Sequence, residues 1–355
     1  MNPNNTFNKP LRAIVLLAAC LISISGCSFK HSNPSSRLNR FEFEQPHMGT
    51  LFKITLYAAD DSSAKMASEA AFAKVAALER AMTDYDPESE LMRLCASPTN
   101  VPVKLSEELF AVLDESLRIA RISDGAFDPT IGPIIRQWRR ARRQGVLPTS
   151  DQIVHAQKSV GWKNLTLDPS NRTATLLAPD MQLDLGGIAK GYAADAALAE
   201  LKSRGVSCAL VAASGDIAAG DAPPGTRGWT VSVDIPGATE RRSETFLLKN
   251  AAVSTSGDAE QFTVINGIRY SHIVDARTGV GLTNHLQVSV FANRAMLTDA
   301  FATTACVLGT DAGTKLIQSR SNLSALFITP DETTSARIVL KTAGDHNRVP
   351  GLRRR

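Results

Sequence analysis

The stretch LDLGGIAKGYAAD, residues 183–195, constrains the fold and the chemistry more than any other part of this sequence. A strand-like run over 181–185 leads into two glycines, and an Ala-rich run typical of a helix continues to Arg204. The glycines permit close backbone approach, and the amides and positive dipole end of the helix would face a ligand at the turn. Lys190 adds a positive charge there, so the turn is predicted to bind phosphate. Plain turn chemistry is the alternative, and the spacing matches neither a Rossmann fingerprint nor a Walker A loop.

Helical and strand-like segments alternate on both sides of this stretch without a regular βαβ succession. The predicted helices cover 62–82, 106–123, 188–204 and 295–308, and the predicted strands cover 52–57, 173–177, 229–235, 286–291 and 325–329. This mixture predicts an α+β fold, as a single large domain of mixed sheets and helices or two intimate lobes. We expect the domain to span residues 41–345.

Composition bounds the function classes. The 355 residues are 43% hydrophobic and 21% charged, which predicts a globular protein with a sizeable core and excludes a disordered or low-complexity chain. The net charge of +4, from 39 basic and 35 acidic side chains, is too small for nucleic-acid binding to follow from charge alone.

The N-terminal segment is typical of an exported lipoprotein. Lys9 and Arg12 precede an apolar run over 13–24, which has the length of a signal-peptide core and is short for a membrane span. The run ends at Ser25-Gly26-Cys27, which resembles a lipobox, and Cys20 is an alternative lipidation site. We therefore predict a signal peptide over 1–26, a lipid-anchored tether over 27–40, and a location on a membrane of the bacterial cell envelope, facing the periplasm. An ordinary secretory signal or a buried first helix is the alternative.

The sequence contains two arginine-rich segments and three internal cysteines. Five arginines between 136 and 143 predict a solvated helix face, and residues 346–355 predict a basic C-terminal tail; attraction to anionic lipids is the alternative for both. Cys95, Cys208 and Cys306 have neither disulfide-framework nor metal-knuckle spacing, so they are predicted to be buried apolar residues.

The segment TDAFATT, residues 298–304, predicts a divalent cation site. Asp299 and Thr303 are four residues apart on one helix face, where their oxygens can bind the same cation. Magnesium suits them, because it accepts few protein oxygens and completes its shell with water and phosphate, and the carbonyl of Gly187 could be a third ligand. A simple helix N-cap is the alternative.

The segment SHIVDARTG, residues 271–279, contains the best-placed candidate for a general base. His272 lies in a turn-prone segment with Asp275 and Arg277 close in sequence. A structural histidine is the alternative.

Seven segments in a fixed order resemble the ApbE family, the FAD:protein FMN transferases, between about residues 41 and 340. The matching segments are 48–50, 82–91, 125–129, 184–195, 254–257, 272–279, and Asp299 with Thr303. Three positions depart from the family pattern. Ala276 replaces a usual Pro, Ser214 replaces a common Gly, and Ala302 stands where some members have an additional acidic residue.

The resemblance implies an enzyme that cleaves the diphosphate of FAD, transfers FMN to a Thr or Ser hydroxyl of an acceptor protein, and releases AMP. FAD is then a substrate and Mg²⁺ the cofactor, and subunits of exported respiratory complexes are the implied acceptors. Carried over position by position, the implied FAD contacts are Met48, Tyr85, Ala126, Phe127, Asp128, Asp184, Lys190 and Ile273. The implied metal ligands are Gly187, Asp299 and Thr303, and His272 is the implied catalytic base.

Two other functions use the same residues. An FAD pyrophosphatase would give FMN and AMP with water as the acceptor, and a non-catalytic flavin-binding lipoprotein would retain the pocket without turnover.

Overall fold

A mixed arrangement of helices and antiparallel sheets confirms the predicted α+β class. The computed structural model describes residues 38–235, 242–258, 261–330, 338–346 and 349–354. The helices are α1 Asp61–Met82, α2 Glu90–Cys95, α3 Glu107–Ile122, α4 Gly132–Gln144, α5 Ser150–Gln157, α6 Ala189–Ser203 and α7 Ala295–Gln318. The strands are β1 Asn39–His47, β2 Thr50–Ala58, β3 Val103–Lys104, β4 Leu165–Asp168, β5 Thr173–Leu176, β6 Ala209–Ala213, β7 Asp216–Ala219, β8 Trp229–Ile235, β9 Arg242–Leu248, β10 Ala251–Ser256, β11 Phe262–Ile265, β12 Ile268–Ser271, β13 Val274–Asp275, β14 Val280–Gly281, β15 Gln287–Ala292, β16 Ser324–Pro330, β17 Ile338–Ala343 and β18 Leu352–Arg354.

An eight-stranded antiparallel sheet separates two hydrophobic cores. Its strand order is β1-β2-β6-β7-β10-β15-β16-β17. One face packs against α1, α6 and α7, and the other packs against a three-stranded sheet of order β18-β9-β8. Side chains alternate between the two faces as the pleat requires. Val290 therefore packs in the core on the helical side, and its neighbour Phe291 packs in the core between this sheet and the β18-β9-β8 sheet.

The crossing of α6 and α7 needs a glycine. A Cβ on Gly191 would lie 2.2 Å from the carbonyl oxygen of Ala295, so the two backbones approach to a distance that no other residue permits. Each helix also accepts an N–H group of the other: Asp195 of α6 accepts from Ala295, at 2.8 Å, and Asp299 of α7 accepts from Gly191, at 3.0 Å. This crossing fixes the position of the glycine turn that precedes α6.

Most predicted elements agree with the structure, and two differ. The predicted helix over 295–308 extends to Gln318, through a non-helical Gly309. The strand predicted over 181–185 is wrong, because this extended segment forms only an isolated bridge between Gln182 and Ile131. Its backbone is instead held by loops, as in the hydrogen bond from the N–H of Asp184 to the carbonyl of Pro129.

The domain limits also differ from the predicted ones. The described residues from Leu38 onward form one compact unit, and β1 begins at Asn39, inside the predicted tether, because it pairs along its whole length with β2. The predicted basic tail is wrong over Leu352–Arg354, which pairs with β9; Leu352 is buried and Arg354 forms a 2.7 Å ion pair with Glu244.

The predicted signal peptide and lipidation site lie outside the described residues. In the ranges that the structure describes, none of the helices has the length and apolar character needed to cross a bilayer. The cysteine prediction is confirmed, since Cys95, Cys208 and Cys306 are buried free thiols.

Candidate active site

A cleft of about 580 Å³ contains the residues that the sequence singled out. All eight predicted FAD contacts line it: Met48, Tyr85, Ala126, Phe127, Asp128, Asp184, Lys190 and Ile273. His272, Gly187 and Thr303 line it as well, and Asp299 lies directly behind Lys190. Segments up to 255 residues apart in sequence therefore meet at one site.

Met48 reaches the cleft from a strained two-residue turn between β1 and β2. Met48 and Gly49 both have positive φ, 50° and 70°, as a type I′ hairpin turn requires. The carboxylate of Glu79, near the end of α1, accepts a 2.6 Å hydrogen bond from the Met48 N–H and contacts Nδ1 of His47 at 3.0 Å. The helix thus holds the turn against the cleft.

Asp128 organises the loop that carries Ala126 and Phe127. One of its oxygens accepts from the N–H and hydroxyl of Thr130, at 2.8 and 2.6 Å, and the other accepts from the Trp162 N–H at 2.9 Å. Burial raises the pKa of the Asp128 carboxyl. These hydrogen bonds fix the shape of the loop, and Asp128 itself also lines the cleft.

Arg139 connects Asp84 and Asp184, two acidic residues that line the cleft, and the sequence analysis did not predict this role. Its guanidinium contacts Asp184 at 2.9 Å and also pairs with Asp84, and it lies 4.6 Å from the ring centre of Tyr85, which is 76% exposed at the mouth. Arg142, one turn further along α4, lines the cleft too. The prediction of a solvated arginine face is therefore wrong for Arg139, whereas Arg142 is exposed as predicted. Their spacing of three on a helix that also buries Trp138 was the available signal.

The glycine turn and the 298–304 segment are direct neighbours, as the predicted cation site requires. A Cβ on Gly187 would lie 3.2 Å from the Thr303 hydroxyl oxygen, and Ser256 of β10 contacts the same oxygen at 3.3 Å. Asp299 is 2% exposed, and its Oδ2 accepts from the Gly191 N–H at 3.0 Å. Hydroxyl, carboxylate and backbone groups therefore converge beside the start of α6.

Asp216 is a second carboxylate in this cluster that sequence reasoning did not select. Its Oδ2 lies 2.8 Å from Nζ of Lys190, which is 3.7 Å from Oδ2 of Asp299. Burial raises the pKa of Asp299 to about 7, the charge of Asp216 acts in the same direction, and Lys190 opposes both. Asp216 is the lone charged residue in the apolar stretch 209–220, and that isolation was the signal that could have found it.

The donor set fits a small hard cation. With both carboxylates ionised, Lys190 neutralises only one of them, so the buried cluster retains a net negative charge. In the described ranges, no three or more His, Cys, Asp or Glu side chains form a group arranged for a metal ion. Magnesium fits the oxygens of Asp299, Thr303 and the Gly187 backbone, because it accepts few protein oxygens and completes its shell with water and phosphate.

His272 lines the cleft, and one of its ring nitrogens is held by a backbone carbonyl. Nδ1 lies 3.1 Å from the carbonyl oxygen of Gln261, which also accepts from the His272 N–H at 3.2 Å. Nδ1 is therefore protonated in the neutral ring and Nε2 is the basic nitrogen. Burial lowers the pKa of His272, which favours this neutral form. Asp275 and Arg277 pair with each other rather than with the imidazole.

Comparison with known proteins gives consistent matches. A model of the ApbE family matches residues 48–327. A protein named FAD:protein FMN transferase from Haemophilus influenzae is 30% identical over 296 residues, covering 79% of this chain and 84% of that protein. One of the same name from Treponema pallidum is 29% identical, covering 91% and 92%. The solved flavin transferase ApbE from Vibrio cholerae is 25% identical with a TM-score of 0.78, covering 86% of this chain and 97% of that one.

Proposed function

The chain belongs to the ApbE family, and we propose that it transfers FMN from FAD to a Thr or Ser hydroxyl of an acceptor protein, releasing AMP. One observation carries this proposal. The glycine turn, the Thr303 hydroxyl in front of Asp299 and a histidine whose Nδ1 is held by a carbonyl meet at a single cleft. A diphosphate ester and a hydroxyl nucleophile need these three elements together.

The reaction exchanges one P–O bond for another. Nε2 of His272 accepts the proton of the acceptor hydroxyl as its oxygen attacks the phosphorus of the FMN half. The bond from that phosphorus to the bridging oxygen breaks, and AMP leaves with this oxygen. The flavin is not oxidised or reduced, and positioning with charge neutralisation provides most of the catalysis.

Gly187 through its carbonyl, with Asp299 and Thr303 through their side chains, would hold Mg²⁺. Bound there, the ion would neutralise charge on the diphosphate and its leaving group. Lys190 and the start of α6 add fixed positive charge on the same side, and the Asp216 carboxylate keeps Lys190 in place. Met48, Tyr85, Phe127 and Ile273 offer apolar surface to the ring systems of FAD.

The test uses the full chain in detergent with FAD, Mg²⁺ and a panel of exported respiratory flavoprotein subunits. We expect one acceptor to gain the mass of FMN and to become fluorescent in a denaturing gel. His272→Gln should abolish the product, whereas His155→Gln, on the exposed side of α5, should not. FMN and AMP without labelled acceptor would indicate a pyrophosphatase, and intact FAD would indicate flavin binding alone.

We propose in addition that Cys27 is lipidated and anchors the domain to a membrane of the cell envelope, facing the periplasm. The apolar run over 13–24 and the Ser25-Gly26-Cys27 sequence support this. Cells fed a clickable palmitate analogue should label the wild-type protein and Cys20→Ala but not Cys27→Ala. Labelling that depends on Cys20 instead would overturn the assignment.

A further inference from the structure

The segment that carries His272 is held by an ion pair outside the cleft. β11 and β12 form a two-stranded hairpin, in which Phe262 pairs with Ser271. Gln261 and His272 are the next residues on each strand, so the carbonyl that fixes the imidazole lies at the base of this hairpin. Any displacement of one strand base relative to the other would change the direction of Nε2.

Arg269 ties this base to the main sheet. Its Nε lies 3.0 Å from Oδ2 of Asp258, two residues beyond the end of β10, and a second guanidinium nitrogen donates to the carbonyl of Asp258. The guanidinium also lies 3.8 Å from the ring centre of Phe262, the residue after Gln261. One side chain of β12 thus contacts the chain on both sides of Gln261.

Asp258 is held firmly enough to fix the position of Arg269 and of the hairpin base. It is 7% exposed, and its Oδ2 also contacts Nδ1 of His285 at 2.8 Å. A buried carboxylate with two partners at distant positions in sequence is costly to separate from either of them. The loop after β10, the hairpin and the segment before β15 therefore meet at this carboxylate.

We propose that Arg269 and Asp258 are positioning residues, which hold the Gln261 carbonyl so that His272 keeps its proton on Nδ1 and directs Nε2 toward the acceptor hydroxyl. The catalytic part of this inference rests on the proposed function. The predicted tautomer and orientation of the His272 ring do not depend on the proposed function, because they follow from the contacts of Gln261, Arg269 and Asp258.

Arg269→Lys keeps the charge but not the simultaneous contacts with carboxylate, carbonyl and ring. We expect kcat to fall about 100-fold in Arg269→Ala, because a shift of about 1 Å in a reacting group reduces the rate by about this factor. In Arg269→Lys, which keeps the charge, we expect a smaller fall of about 10-fold. KM for FAD should stay within about twofold, because neither residue lines the FAD cleft. Arg277→Ala is the matched control: Arg277 also pairs with an aspartate, Asp275, in the His272 segment, but does not contact the hairpin base.

The deciding measurement is the tautomer of His272, read by nitrogen-15 NMR of histidine-labelled protein and assigned with His272→Gln. We expect one Nδ1–H tautomer in the wild type and in Arg277→Ala, and a mixture in Arg269→Lys and in Asp258→Asn. A single unchanged tautomer with unchanged kcat in the folded Arg269 variants would overturn the proposal. If the tautomer changes as expected but the wild type transfers no FMN, the proposed function fails and the positioning role remains. Should Arg269→Ala not fold, Arg269→Lys and Asp258→Asn decide the outcome.

Discussion

Near their N-termini, α6 and α7 each have an aspartate that accepts a hydrogen bond from a backbone N–H of the other helix. In α6 the N–H of Gly191 donates to Asp299 of α7, and in α7 the N–H of Ala295 donates to Asp195 of α6. In both cases the aspartate lies four residues after the donor position of its own helix. The arrangement is an exchange of carboxylates between two crossing helices, each satisfying an amide that has no intrahelical partner.

The surroundings of the two carboxylates differ. Asp195 also accepts from the Met296 N–H at 3.0 Å and has Arg294 at 3.9 Å, and its pKa is raised to about 6 by burial. Asp299 has Asp216 and Lys190 beside it and lies behind Lys190, which lines the cleft. One carboxylate joins helices, and the other joins helices and also concentrates negative charge next to the glycine turn. A second acidic residue is what turns a helix cap into a candidate cation site.

The largest expected effect is a loss of FMN transfer activity, which distinguishes Asp299 from Asp195. Asp299→Asn keeps an acceptor for the Gly191 N–H but removes the charged oxygen proposed to bind Mg²⁺. We expect the FMN transfer rate to fall about 10³-fold, equivalent to about 4 kcal/mol, while the thermal midpoint stays the same or rises, because one buried charge is gone. Rates at saturating Mg²⁺ and a thermal melt check this. Wild-type rates in a folded variant would contradict the assignment of Asp299.

The next effect tests the crossing that both carboxylates share. Gly191→Ala places a methyl group 2.2 Å from the Ala295 carbonyl and 2.8 Å from Cβ of Asp299. We expect a loss of about 3 kcal/mol or more in the free energy of unfolding, since backbone must move to relieve the clash. Denaturant titration measures it. A loss below about 1 kcal/mol would mean that the helices can separate at little cost.

A third prediction distinguishes Asp195 from Asp299 by the pH dependence of the free energy of unfolding, measured in metal-free buffer. A carboxyl whose pKa is raised in the folded state binds more protons there than in the unfolded chain, so stability falls as pH rises between the two values. For Asp195 this window runs from about 4 to about 6, and the lost stability is about 3 kcal/mol. Asp195→Asn should remove this part of the pH dependence of unfolding. Asp299→Asn should remove a part that extends to about pH 7. Identical pH profiles for the two variants would contradict the difference in surroundings.

The smallest expected effect is that of Asp195→Ala on catalysis. Two amides of α7 lose their acceptor, which costs about 1–2 kcal/mol, and relief from burying a charge offsets part of this. The rate per folded molecule should stay within about twofold of wild type, a difference under about 0.5 kcal/mol. A large loss of activity would show that the Asp195 contact also controls the cleft.

Local sequence patterns predicted the parts of the fold and site whose causes are local. The Ala-rich helices, the glycine turn and the pairing of Asp299 with Thr303 follow from helical spacing and backbone freedom within a few residues. The partners of Asp216, of Arg139 and of the Asp258–Arg269 pair lie elsewhere in the chain. The isolation of Asp216 and the helical spacing of Arg139 could mark these two residues as candidates, but local spacing could not identify their partners. The strand at Leu352–Arg354 is similar: its partner, β9, lies more than a hundred residues earlier, and an arginine-rich segment resembles a tail until that partner is known.

The buried thiols have a practical consequence for the part of the chain that the structure describes. Burial raises the pKa of Cys208 to about 11 and of Cys306 to about 12, and raises that of Cys95 as well, so none of the three forms an appreciable thiolate near neutral pH. Only the thiolate reacts with oxidants and alkylating reagents. Cys95, Cys208 and Cys306 are therefore slow to form disulfides, and maleimide labelling of these three thiols will report transient opening of the cores rather than surface chemistry.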